Sequence, residues 1–103
     1  MEEYYPDKWV IINIATPEYR IRKVLASWYG GFYGGDSYRL SSGITEIVDK
    51  DDYLEIHNES GSIYHCHKDN FGRSLFTSGV YNDMLKNIPD DVNMYVEVNE
   101  DTK

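Results

Sequence analysis

The stretch Tyr53-Leu-Glu-Ile-His-Asn-Glu-Ser-Gly-Ser-Ile-Tyr-His-Cys-His67 decides the fold. Two runs rich in aromatic and β-branched residues flank Glu59-Ser60-Gly61, which suits a three-residue hairpin loop with the glycine in the left-handed conformation. That loop sets a register in which Asn58 faces Ser62, Ile56 faces Tyr64 and Leu54 faces Cys66. Side chains alternate along a strand, so one face collects Leu54, Ile56, Tyr64 and Cys66. The other collects Tyr53, Glu55, His57, Ile63, His65 and His67. A two-residue turn would slip the pairing and mix the two sets, so the apolar pattern itself selects the register.

Upstream, Asp49-Lys-Asp-Asp52 reads as a polar turn, and Tyr38 to Val48 as a strand broken or bulged near Ser41-Ser42-Gly43. Lys8-Trp-Val-Ile-Ile-Asn-Ile14 is a continuous apolar, β-branched run of strand length, the pattern of a strand covered on both faces. Residues 19–29 admit two readings. Thr16-Pro17-Glu18 can cap a helix that places Ile21, Val24, Leu25 and Trp28 on one side before Gly30 stops it, or it can be a turn returning a second strand. The spacing slightly prefers the helix. Downstream, Ser74 to Asn87 reads as a helix with Ser74 as N-cap, Leu75, Tyr81, Met84, Leu85 and Ile88 near one side, and Pro89 as the stop. Asn93 to Val98 alternates as a last strand. The expected architecture is a single α+β domain over residues 1–103, with an antiparallel sheet of five or six strands, one or two helices, and flexible ends at 1–7 and 99–103.

A chain of 103 residues can bury one adequate core without disulfides or metal. The single cysteine, Cys66, rules out an internal disulfide and fits a reducing compartment, with the cytoplasm as default. Met1-Glu-Glu-Tyr-Tyr-Pro6 lacks the basic and apolar regions of a signal peptide, and no stretch is long and apolar enough to span a membrane. Net charge is −8, and it is concentrated: residues 51–103 hold 4 Lys and Arg against 11 Asp and Glu. Such a field repels phosphate, which disfavours direct nucleic-acid binding, and attracts basic proteins.

The segment most resembling a site is Trp28-Tyr-Gly-Gly-Phe-Tyr-Gly-Gly-Asp-Ser-Tyr-Arg39, with five aromatic residues and four glycines in twelve positions. Glycine lets backbone approach a ligand while aromatic rings offer flat apolar faces. Trp28, Tyr29, Phe32, Tyr33, Asp36, Tyr38 and Arg39 are the candidate ligand- or partner-binding residues. Asp36 can orient Arg39, accept from a ligand, or close a turn with Ser37. The glycine pairs do not form a phosphate-cradling pattern. Asp51, Asp52, Asp90 and Asp91 are the candidate acidic face.

His57, His65 and His67 share a strand face with Glu55, but they lack the spacing of a metal motif, so solvated or hydrogen-bonded imidazoles on an exposed face, and no metal, are expected. Cys66 points to the opposite face, which disfavours a Cys/His nucleophilic pair and favours an inert buried thiol. No cofactor is expected, and no catalytic residues stand out.

The pattern Ala26-Ser-Trp-Tyr-Gly-Gly-Phe-Tyr-Gly-Gly-Asp-Ser-Tyr-Arg-Leu-Ser-Ser-Gly-Ile44, with Ser60-Gly-Ser-Ile-Tyr-His-Cys-His-Lys68 and Tyr81, resembles small uncharacterised accessory proteins of tailed bacteriophages. The resemblance spans roughly residues 8 to 85, and no catalytic residue carries over from it. It implies a small accessory protein acting inside an infected bacterium, and short acidic proteins of that kind often resemble inhibitors of host enzymes or of antiviral defence that work by stoichiometric binding. Two mechanisms compete. In one, the acidic half and exposed tyrosines block a basic host protein, such as a nucleic-acid-binding or defence protein. In the other, the aromatic-glycine segment and Arg39 sequester a small anionic nucleotide. The single arginine makes the first the stronger reading, with an unidentified enzyme third.

Overall fold

A computed structural model describes residues 2–30 and 35–97. Among these residues eight strands run β1 (Glu3–Tyr4), β2 (Lys8–Ala15), β3 (Arg20–Trp28), β4 (Ser37–Leu40), β5 (Ile44–Asp49), β6 (Tyr53–Asn58), β7 (Ile63–His67) and β8 (Asn93–Val96), with helix α1 (Leu75–Asn87) before the last. They form two four-stranded sheets, ordered β1-β7-β6-β5 and β4-β3-β2-β8. Pairing is antiparallel except between β1 and β7. The α+β class is as expected, but two sheets replace the single sheet of five or six strands.

The β6–β7 hairpin adopts the register its sequence dictates, with Leu54 opposite Cys66 and Ile56 opposite Tyr64. Gly61 sits at φ +91°, the left-handed conformation that the loop needs. Its apolar face is one wall of a core. Ile56, Tyr64 and Cys66 pack there against Trp9, Ile11, Val24 and Ala26 of the other sheet. On the reverse of that sheet, Val10, Ile12 and Leu25 pack with Met94 and Tyr81 of α1. The molecule is therefore layered sheet, sheet, helix, and β2 and β3 form the middle layer. This explains the unbroken apolar run in β2, since odd positions serve one core and even positions the other.

The same burial corrects the preferred helix over residues 19–29. Eight residue pairs join β2 to β3, from Lys8 opposite Ser27 to Ala15 opposite Arg20. A strand covered on both faces loses its polar alternation, so Ile21, Val24, Leu25 and Trp28 mimic a helical stripe. Thr16 builds the connecting turn: its Oγ1 accepts from the amides of Glu18 at 3.2 Å and Tyr19 at 3.1 Å. The expected break at residues 41–43 is real and marks the point where the chain crosses between sheets. There Ser41 Oγ accepts from the Val24 amide at 2.8 Å and donates to the Ser42 carbonyl at 2.7 Å.

The N-terminus, expected to be loose, is taken into the fold. Glu3 and Tyr4 pair with Ile63 and Tyr64, and the Tyr4 ring stacks on Tyr64 at 4.8 Å. Helix α1 starts at a capping box: Ser74 Oγ accepts from the Thr77 amide, and Thr77 Oγ1 accepts from the Ser74 amide. It ends at Ile88, before Pro89. Among the described residues no helix is long and apolar enough to cross a membrane. Residues 99–103 lie outside the described residues.

Candidate functional site

The β3–β4 ladder decides where the aromatic-glycine segment goes. Trp28 pairs with Ser37, Ser27 with Tyr38 and Ala26 with Arg39. Strand alternation therefore places Trp28 and Arg39 on the side facing the other sheet, and Tyr38 on the side of α1. Trp28 is half-buried against Tyr4 and donates from Nε1 to the Tyr5 carbonyl at 3.0 Å. The Arg39 guanidinium lies 4.8 Å from the centre of the Tyr4 ring, which itself stacks on Tyr64. Burial pushes the Tyr64 phenol up, and the Arg39 charge opposes that rise. Tyr38 meets Phe76 of α1 instead, with ring centres 5.9 Å apart. One predicted cluster is thus split between two faces.

Asp36 acts on the chain itself, because its Oδ1 accepts from the Gly30 amide at 2.9 Å, where Gly30 holds φ +52°. Tyr29 is exposed, and its amide donates to Asp7 Oδ2 at 2.8 Å. Phe32 and Tyr33 lie outside the described residues.

The histidines line the outer face of the first sheet as a row of rings. Tyr5 stacks on His65 at 4.5 Å, and Tyr53 lies 5.6 Å from His65 and 5.4 Å from His67. Carboxylates hold two of the imidazoles, His57 by Glu55 and His65 by Glu3, both at 2.8 Å. The hydrogen bond from His57 keeps the Glu55 carboxyl below the usual carboxylate range. Among the described residues no three His, Cys, Asp or Glu side chains converge to hold a metal.

Cys66 faces the inter-sheet core, fully buried, and desolvation pushes its thiol far up. A thiol so disfavoured as thiolate is a poor nucleophile. We expect Cys66→Ser to cost about 1–3 kcal/mol, because a hydroxyl without a partner enters an apolar site, and to leave biological activity within a few-fold. Urea unfolding and a binding assay check this. Activity lost with stability intact would restore a chemical role for the sulfur.

The four acidic candidates fall in two pairs, each near a different end of β2. Asp51 and Asp52 lie on the β5–β6 turn, where the Asp52 carbonyl accepts from the Lys68 amide at 3.0 Å. The adjoining His67 carbonyl accepts from Trp9 Nε1 at 2.7 Å, which puts this turn toward the start of β2. Asp90 and Asp91 precede β8, whose Asn93 pairs with Ala15 at the far end of β2. Near the first pair, Lys68 Nζ bridges to Asp49 at 2.9 Å and holds that carboxyl below its ordinary range. Asp51, Asp52, His67, Lys68 and Asp69 line an open hollow of about 490 Å³.

A second open groove, of about 320 Å³, runs between β4 and α1, lined by Tyr38, Val80, Asp83, Met84 and Asn87. Sequence reasoning missed it. The signal was present in the helical spacing 76, 80, 84 and 87, a stripe that shares Met84 with the core-facing one. Elsewhere in this sheet, Arg22 of β3 forms a two-pronged ion pair with Glu97, with both contacts at 2.7 Å, and Asn13 of β2 donates to the same carboxylate. The guanidinium holds the Glu97 carboxyl below its usual range, and the cluster ties β3, β2 and the end of β8 together. No protein-family model matches this chain, and comparison with curated proteins and with solved structures gives no match.

Proposed function

We propose that this chain works without catalysis, by stoichiometric binding that blocks a basic host or antiviral-defence protein in the cytoplasm of an infected bacterium. The observation that carries this reading is the set of Tyr5, Tyr19, Tyr29, Tyr38 and Tyr95, each 41–61% exposed, on a chain of net charge −8. Tyrosine is enriched in protein interfaces because it supplies wide apolar area with a polar tip. An acidic surroundings steers a basic partner toward those rings. The nucleotide-sequestering alternative draws less support, because Arg39 already lies over the Tyr4 ring and both described grooves carry aspartate, which repels phosphate.

The test is recovery of the tagged chain from bacteria, followed by gel filtration. We expect an equimolar complex with one basic protein at ~0.1 M salt, weakened at ~1 M, where the screening length falls from ~10 Å to ~3 Å. If instead the chain elutes alone with a nucleotide bound, and Arg39→Ala abolishes activity, the sequestering pocket is the correct reading.

A further inference from the structure

We propose that the free edge of β4 and the adjoining face of α1 form a groove that accepts an extended, basic peptide segment of the partner as an added strand. This rests on the protein-binding reading and names the chemistry of what is bound. β4 ends its sheet, so its outer side has no neighbouring strand among the described residues. The Ser41 amide donates to the Val24 carbonyl at 2.9 Å, which fixes the phase of the ladder. Residues 37, 39 and 41 turn their backbone groups to β3, and Tyr38 and Leu40 turn theirs outward. Two amides and two carbonyls therefore stand ready to pair with an incoming strand. Protein edges of this kind are commonly blunted by proline, a bulge or an inward-pointing charge. The sequence Ser37-Tyr-Arg-Leu40 has no proline, and its one charge, Arg39, is drawn to Tyr4 on the other face of the sheet.

A strand added there lies ~4.8 Å beyond β4, alongside the groove of about 320 Å³. Alternate side chains of that strand enter a cleft walled by Tyr38, Val80 and Met84, and the Tyr38 ring is itself backed by Phe76. These walls select apolar residues at every second position. Asp83 lines the same groove, so among the side chains on that face it selects a lysine or arginine two positions from an apolar one. Backbone pairing supplies affinity and the alternating pockets supply specificity, the general logic of strand addition. A second copy of this chain is a poor occupant, since each carries a net charge of −8.

The probe is acetyl-Thr-Val-Thr-Lys-Thr-Val-amide, which as a strand puts valine and lysine on one face, with glutamate in place of that lysine as control. NMR titration of the full chain is expected to move the amides of Tyr38 to Leu40 and of the 76–87 helix face for the lysine peptide alone. N-methylation of the alternate peptide amides that face β4 should remove binding, while methylation of the other set should not. Asp83→Lys, at an exposed position, should weaken the lysine peptide at least tenfold with the fold intact. Perturbations centred on the Asp51–Asp52 hollow, or binding indifferent to N-methylation, would overturn the groove. So would a concentration-dependent dimer that protects the β4 amides, which would assign the edge to a second copy. If an equimolar complex with a basic protein forms and is unaffected by Asp83→Lys, the groove is wrong and the binding reading stands. If the peptide docks as described but no protein is retained in cells, the groove stands and the binding reading falls.

Discussion

Trp9→Ala is expected to lower stability by about 3–5 kcal/mol, a large part of what a domain of this size possesses. Trp9 is 1% exposed in the core between the two sheets. Its ring meets Phe71 edge-on at 5.0 Å, and its Nε1 donates to the His67 carbonyl at 2.7 Å. Truncation would leave a cavity against both sheets and strip a partner from a carbonyl at the end of β7, so two costs add. Trp9→Phe separates them, since it keeps most of the apolar bulk and loses the hydrogen bond. We expect it to cost about 1–3 kcal/mol. Urea denaturation followed by circular dichroism measures both. A Trp9→Ala loss below about 1 kcal/mol would mean that the sheets are held together elsewhere.

How much of this was legible in the sequence differs by element, for physical reasons. The hairpin at 53–67 was readable in full, because a polar face and an apolar face leave one register that buries the right side chains. Helix α1 was readable because Ser74 and Pro89 punctuate it. β3 was not, because a strand in the middle layer has no polar face to betray its period. The number of sheets was hidden for the same reason: the two-faced run of β2 announces a central strand but does not say whether sheet or helix covers each side.

The candidate site was legible only in composition. The aromatic-glycine segment stands out for its residue types, yet the ladder sends Arg39 to Tyr4 and Tyr38 to Phe76, on opposite faces. Tyr4 and Phe76 lie far from that segment in the chain, so no local pattern links them. Asp36 was read as a partner of Arg39, a ligand contact or a turn residue with Ser37, and its bond from the Gly30 amide, six residues upstream, is none of these.

Reversal of Asp51, Asp52, Asp90 and Asp91 to lysine is expected to slow association with a basic target about tenfold or more at low salt. Four such changes add two charge units each, which takes the formal net charge from −8 to 0. Placement of the two pairs sharpens the expectation. Asp51 and Asp52 lie toward the Trp9 end of β2 and Asp90 and Asp91 toward the Ala15 end, separated by about 20 Å along a strand rising ~3.3 Å per residue. At physiological salt the screening length is ~8 Å, so each pair acts on a contact near itself and not across the molecule. Tested separately, both pairs should slow association at ~0.01 M salt, where the field reaches ~30 Å, and at most one pair should matter at ~0.15 M. Arg39→Ala, by contrast, removes a cation that supports the Tyr4 ring, and we expect it to speed dissociation while leaving the association rate and its salt slope unchanged. Stopped-flow association over a salt series reads all of these quantities. Equal effects of both pairs at ~0.15 M would mean that the target wraps both ends of β2, a larger footprint than one groove provides, and indifference to all four reversals would remove electrostatic steering from the mechanism.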